Sequence, residues 1–111
     1  MGISTHILDT TRGKPAEGVH VALQRLDGAV WTPVAEGTTN ADGRVGALLT
    51  DTPAPGSYRI HFAIEPYFRT LGVEAFYPGV QIEFVVREGG GAHYHVPLLL
   101  NPYGYATYRG S

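Results

Sequence analysis

Alternation with a period of two runs through most of this chain and commits it to strands. Ile3, Thr5 and Ile7 alternate with Ser4, His6 and Leu8; Val19, Val21 and Leu23 follow the same rule, as do Tyr58, Ile60, Phe62 and Ile64, and then Val80, Ile82, Phe84 and Val86. Successive side chains of a strand point to opposite faces, so each run offers one apolar face to a core. Fifteen glycines and eight prolines cut the runs short. Asp27-Gly28 and Asp42-Gly43 mark tight turns, with strands over Trp31–Thr38 and Arg44–Leu48 on either side of the second. Thr50–Ser57, with two prolines and a glycine, reads as a loop. His93–Leu100 and Tyr103–Arg109 form the final pair around Asn101-Pro102. One segment departs from the pattern: Glu65–Gly72 has proline in a first helical turn and glycine at the stop, and predicts a single short helix. About eight strands at this spacing predict an all-β sandwich.

A chain of 111 residues supports one hydrophobic core, so residues 1–111 form a single domain. A net charge of -2 and no Lys/Arg run exclude an electrostatic footprint for nucleic acid. The absence of cysteine excludes disulfides and thiolate metal sites. No apolar stretch approaches the ~20 residues of a membrane span. The start of the sequence lacks the basic and hydrophobic regions of a secretory signal, and Arg109-Gly110-Ser111 is not a peroxisomal address. Together these predict a cytoplasmic protein with no membrane partner.

The chemistry-bearing residues are few. His93 and His95 lie two apart, so a regular strand turns both imidazoles to one side and Tyr94 to the other. Two polar residues on a solvated face are an equally good account of them. A His-x-His pair also suits zinc or copper, with His6 as a third ligand, yet no nearby carboxylate or thiol completes the set. His6 occupies the less apolar face of its strand. Alone it reads as a surface histidine, and Arg44 alone as a charge flanking a turn. His20 and His61 sit opposite the apolar faces of their strands and read as surface or interface residues. The sequence closes on Tyr108-Arg109-Gly110-Ser111. A strand over Tyr103–Arg109 packs nearly to that end, and Gly110 frees Ser111 to turn into a cleft.

These residues fall into motifs. Thr5-His6-Ile7-Leu8-Asp9 with Arg12-Gly13-Lys14-Pro15, Asp42-Gly43-Arg44, Gly72-Val73-Glu74-Ala75-Phe76-Tyr77-Pro78, His93-Tyr94-His95-Val96-Pro97-Leu98-Leu99-Leu100 and the closing Tyr108-Arg109-Gly110-Ser111 together resemble the 5-hydroxyisourate hydrolases, or transthyretin-related proteins, over essentially the full length. The carrier transthyretin shares that scaffold without the closing tail or these histidines.

The resemblance implies a transthyretin-like sandwich of two four-stranded sheets with one short helix. It implies a homotetramer, a dimer of dimers, with sites in the cleft where dimers meet. It implies hydrolysis of 5-hydroxyisourate to 2-oxo-4-hydroxy-4-carboxy-5-ureidoimidazoline in urate breakdown, with no cofactor and no metal. His6, Arg44, His95 and Ser111 match the functional positions, Tyr108 the substrate pocket, and His93 a supporting place. Two other readings stay open: a non-catalytic carrier of a flat polar ligand, and a metal protein using His6, His93 and His95.

Overall fold

The apolar halves of the alternating runs face one another across two sheets. The computed structural model describes residues 2–111. Its strands are β1 (Gly2–Asp9), β2 (Lys14–Pro15), β3 (His20–Asp27), β4 (Val30–Thr38), β5 (Gly56–Ala63), β6 (Val80–Val86), β7 (His93–Asn101) and β8 (Gly104–Thr107), with one helix, α1 (Ile64–Thr70), between β5 and β6. The sheets run β2-β1-β7-β8 and β4-β3-β5-β6. Only β1 and β7 pair in parallel; every other neighbouring pair is antiparallel. Ile3, Ile7, Leu98 and Leu100 meet Val21, Leu23, Ile60 and Phe62 in the core, all fully buried. Burying such a side chain stabilises the fold by about 1.5–3 kcal/mol each.

The buried side chains of Thr5, Thr39 and Asp9 are each matched by hydrogen bonds. Thr5 Oγ1 donates to Val96 O at 2.6 Å, locking β1 to β7. Thr39 Oγ1 accepts from Val19 N and donates to Ala16 O. Asp9, buried at the end of β1, accepts from the backbone N–H groups of Thr11 and Arg12 and from Tyr67 Oη at 2.7 Å. That last bond ties α1 to β1. Burial first and the Asp9 contact second raise the Tyr67 phenol above its ordinary range.

Besides shifts of one or two residues at strand ends, three segments differ from the sequence expectation. The helix starts one residue early, at Ile64, and ends at Thr70, where Gly72 N–H returns to Arg69 O and Val73 N–H to Phe68 O. Arg44–Leu48 is not a strand. It meets β1 at Arg44, through the bridge to His6, and at Leu48, whose N–H donates to Ile3 O, with the bridge Ile3–Leu49 just beyond. Ser4 and Thr5 lie between those bridges on β1, opposed by the longer stretch Val45–Leu48, so the segment must bulge. The place of an eighth strand is taken by the two-residue β2. Lastly, β8 stops at Thr107 rather than Arg109. Its next partner is Pro97, which has no N–H to offer Tyr108, and whose carbonyl accepts from Thr107 Oγ1 at 2.7 Å.

Candidate active site

The outward face of the β2-β1-β7-β8 sheet gathers the histidines because β1 and β7 run side by side in register. Gly2 lies beside His93, Ser4 beside His95 and His6 beside Pro97. Residues of even number on β1 and odd number on β7 therefore share this face, while Ile3, Thr5, Ile7, Tyr94 and Val96 turn inward. The rings of His93 and His95 stack with centroids 6.4 Å apart and planes 9° apart. Ser4 Oγ stands 2.9 Å from His95 Nδ1 and 3.5 Å from His93 Nε2.

Arg44 reaches His6 through its turn. Asn40 Oδ1 accepts from the N–H groups of Asp42 and Arg44, and Asn40 N–H donates to Arg44 O. Gly43 completes the turn at φ +75°, and its carbonyl accepts from Ile7 N–H at 2.9 Å. A side chain there would strike Ile7 O at 2.5 Å, so only glycine lets the turn dock on β1. The docking is what sets Arg44 opposite His6.

The tail returns to the same face. After the gap at Pro97, Gly110 N–H donates to His95 O at 2.8 Å. Gly110 serves here by lacking a side chain rather than by turning freely: an added Cβ would sit 2.5 Å from His95 Cδ2. The imidazole of His95 thus has its Nδ1 on Ser4 and its Cδ2 against Gly110. Arg109 anchors the tail from the side, its guanidinium 4.5 Å from the Tyr94 ring centroid and donating to Gly90 O at 3.2 Å. Ser111 comes next, exposed.

Within this face, electrostatics act most on His95. Burial first, then the Arg44 charge, then His6 and His93 hold its imidazole below the usual value, while a hydrogen bond to the Ser4 backbone works the other way. A lowered value keeps the ring neutral near pH 7 and free to accept a proton. His6, by contrast, has no hydrogen-bond partner for its ring among the described residues.

His6, Arg44, His93, His95 and Gly110 are therefore brought to one sheet face, and Ser111 follows Gly110 with no hydrogen bond to them among the described residues. Tyr108 is not joined to them by any hydrogen bond or ring contact among the described residues. It lies with Ile82, Phe84 and Val96 along a groove of about 250 Å³ at the open edge between the sheets. Nor do any three His, Asp or Glu side chains of the described residues converge to hold a metal ion. Sequence reasoning overlooked Ser4. Its parity with His6 was visible, but its place beside His95 depends on the pairing of two distant strands.

A model of the HIUase/Transthyretin family matches residues 3–110. The chain belongs to that family. Within the HIUase/Transthyretin family it is similar to the 5-hydroxyisourate hydrolase of Salmonella dublin, with 46% identity over 98% of this chain and 80% of the relative. The solved 5-hydroxyisourate hydrolase of Klebsiella pneumoniae superposes with a TM-score of 0.86 at 39% identity, each chain covered completely. Sea bream transthyretin in complex with thyroxine superposes with a TM-score of 0.93 at 29% identity, over 99% of this chain and 95% of that one. Backbone shape alone thus does not separate the two branches of the family.

Proposed function

We propose that this protein hydrolyses 5-hydroxyisourate to 2-oxo-4-hydroxy-4-carboxy-5-ureidoimidazoline, a step in urate breakdown in the cytoplasm. The observation that carries the reading is the convergence of His6, Arg44 and His95 with Gly110 on one face, which leaves Ser111 next in the chain. The names borne by relatives at 45–46% identity over nearly the whole chain support it.

In this reading water adds to a ring carbonyl of the substrate and the adjacent C–N bond breaks. The water needs a base, the carbonyl oxygen needs positive or hydrogen-bonding partners, and the departing nitrogen needs a proton. His6 and His95 jointly activate the water, and the proton taken returns to the nitrogen. Arg44, charged at any working pH, holds the carbonyl edge and stabilises the developing oxyanion through its planar fork. Ser111 orients water or relays a proton through its hydroxyl, and Tyr108 contributes to the substrate pocket. Imidazole suffices for each proton transfer, so the reading needs neither metal nor cofactor.

One chain leaves this face open to water, with Arg44 and His93 exposed. A homotetramer, built as a dimer of dimers, lays such faces together and encloses the site at the dimer–dimer cleft. The same enclosure brings Tyr108 of one subunit within reach of a ligand held by another.

A second reading rests on the likeness to sea bream transthyretin: a carrier in which His6, Arg44 and Tyr108 hold a flat polar ligand without chemistry. The ultraviolet decay of freshly generated 5-hydroxyisourate, with and without protein, decides between them. Acceleration at substoichiometric protein establishes turnover; an unchanged decay rate sinks the hydrolase.

A further inference from the structure

We propose that Ser4 is a positioning residue that joins His95 to His93 in a proton relay. The inference deepens the hydrolase reading and rests on it for the identity of the reaction. Its structural basis is separate: one hydroxyl oxygen between two imidazole nitrogens, 2.9 Å from His95 Nδ1 and 3.5 Å from His93 Nε2.

A hydroxyl carries a single proton, so Ser4 can donate to only one ring at a time. When it donates to His93 Nε2, it must accept from His95, which then carries its proton on Nδ1 and presents a bare Nε2. When it donates to His95 Nδ1, it accepts from His93 Nε2, and His95 carries its proton on Nε2. The first arrangement makes His95 a base and the second makes it an acid. A single atom, His95 Nε2, must do both in turn if it takes a proton from water and gives one to the departing nitrogen.

The balance closes within the three side chains. As water attacks, its proton passes to His95 Nε2. The His95 Nδ1 proton moves to Ser4 Oγ, and the Ser4 proton moves to His93 Nε2. His95 ends neutral with its tautomer exchanged, and the positive charge rests on His93. As the C–N bond breaks, the departing nitrogen takes the Nε2 proton, Ser4 returns one to Nδ1, and His93 gives its own back to Ser4.

The two rings differ in the way this demands. His95 is half-buried, faces the Arg44 charge and neighbours His6, so an imidazolium there is costly. His93 is exposed and better solvated, at the end of β7. The charge therefore travels outward while the reacting ring stays neutral. Gly110 leaves the ring room in this position, since a Cβ there would sit 2.5 Å from His95 Cδ2.

Ser4→Ala removes the relay, and Ser4→Thr keeps a hydroxyl on the same strand position. Imidazole 15N shifts of His95 in substrate-free protein report its tautomer directly. We expect a parent with the Nδ1–H form enriched, a Ser4→Ala protein shifted toward the Nε2–H form that free imidazole favours, and a Ser4→Thr protein like the parent. In turnover, Ser4→Ala should lose roughly 10-fold or more in kcat with little change in KM, since proton transfer as a whole contributes ~10²–10⁴-fold. Rates in H2O/D2O mixtures should curve for the parent, with several protons in flight, and become linear for Ser4→Ala. Parental kcat and an unchanged His95 tautomer in Ser4→Ala would overturn the relay, as would equal losses in Ser4→Ala and Ser4→Thr. A parent inactive on 5-hydroxyisourate would overturn the hydrolase reading instead, and the tautomer comparison would still decide whether Ser4 couples the two rings.

Discussion

Arg44 and His95 work on each other through charge as well as through position. The guanidinium is one of the causes that hold the His95 imidazole below about 6.5, after burial and ahead of His6 and His93. Protonation is therefore disfavoured in the folded protein, so the folded state loses stability as pH falls through 6.5. Activity that needs neutral His95 persists to lower pH than free imidazole would allow. The acid limb of the kcat/KM profile should have its midpoint under about 6.5 and should move up when Arg44→Gln removes the charge. Arg44→Lys keeps the charge and loses the fork; it should cost roughly 100-fold in kcat/KM, far more than Lys for Arg at Arg69, which lies on an exposed helical surface. Parental turnover in Arg44→Lys would reduce Arg44 to a turn residue. Gly110→Ala tests packing at the same ring. A methyl group 2.5 Å from His95 Cδ2 must push the ring or the tail aside. We expect a loss of about 10-fold or more in kcat, with a melting temperature close to the parent's because Gly110 lies beyond the last strand.

The elements explain why the tail is separable from the fold. β8 ends at Thr107, and beyond it the Gly110–His95 bridge is the one backbone pairing that holds the tail to β7. A chain lacking Ser111, or carrying Ser111→Ala, should melt with the parent yet hydrolyse 5-hydroxyisourate roughly 100-fold more slowly or worse. Unchanged rates in both variants would leave the tail as simply the end of a strand. Much of this architecture is legible in the sequence because period-two alternation is a local signal. The buried faces of β1, β3 and β5 match it residue by residue, and the helix carries Pro66 in its first turn and has Gly72 just past its end. The features that sequence misses depend on partners. Arg44–Leu48 has strand composition, but its length does not fit the stretch of β1 it faces. The final strand is cut short by Pro97 on its neighbour, which nothing in Tyr103–Arg109 itself reveals. The site divides in the same way: His6, Arg44, His93 and His95 stand out as residue types, whereas Ser4 becomes visible only once β1 lies beside β7.

At the scale of the whole molecule, the sandwich presents its chemistry on an open sheet face instead of enclosing it, so assembly and activity should go together. Light scattering should give the mass of a tetramer under assay conditions, as 222 symmetry requires, and a fully active monomer would refute the enclosed cleft. Extensive EDTA treatment should leave the rate unchanged; a loss restored only by zinc or copper would install His6, His93 and His95 as ligands. The parallel pairing of β1 with β7 carries one more consequence. Ser4 and His95 are 91 positions apart, so the hydrogen bond between them closes a very long loop. Contacts of such separation are slow to form, because loop entropy is lost before any contact rewards it. On the ribosome β1 emerges first and must wait, unpaired along that edge, until β7 has been synthesised. Catalytic competence is then acquired at the close of folding, and recovered activity becomes a stricter gauge of the finished molecule than recovered strand content.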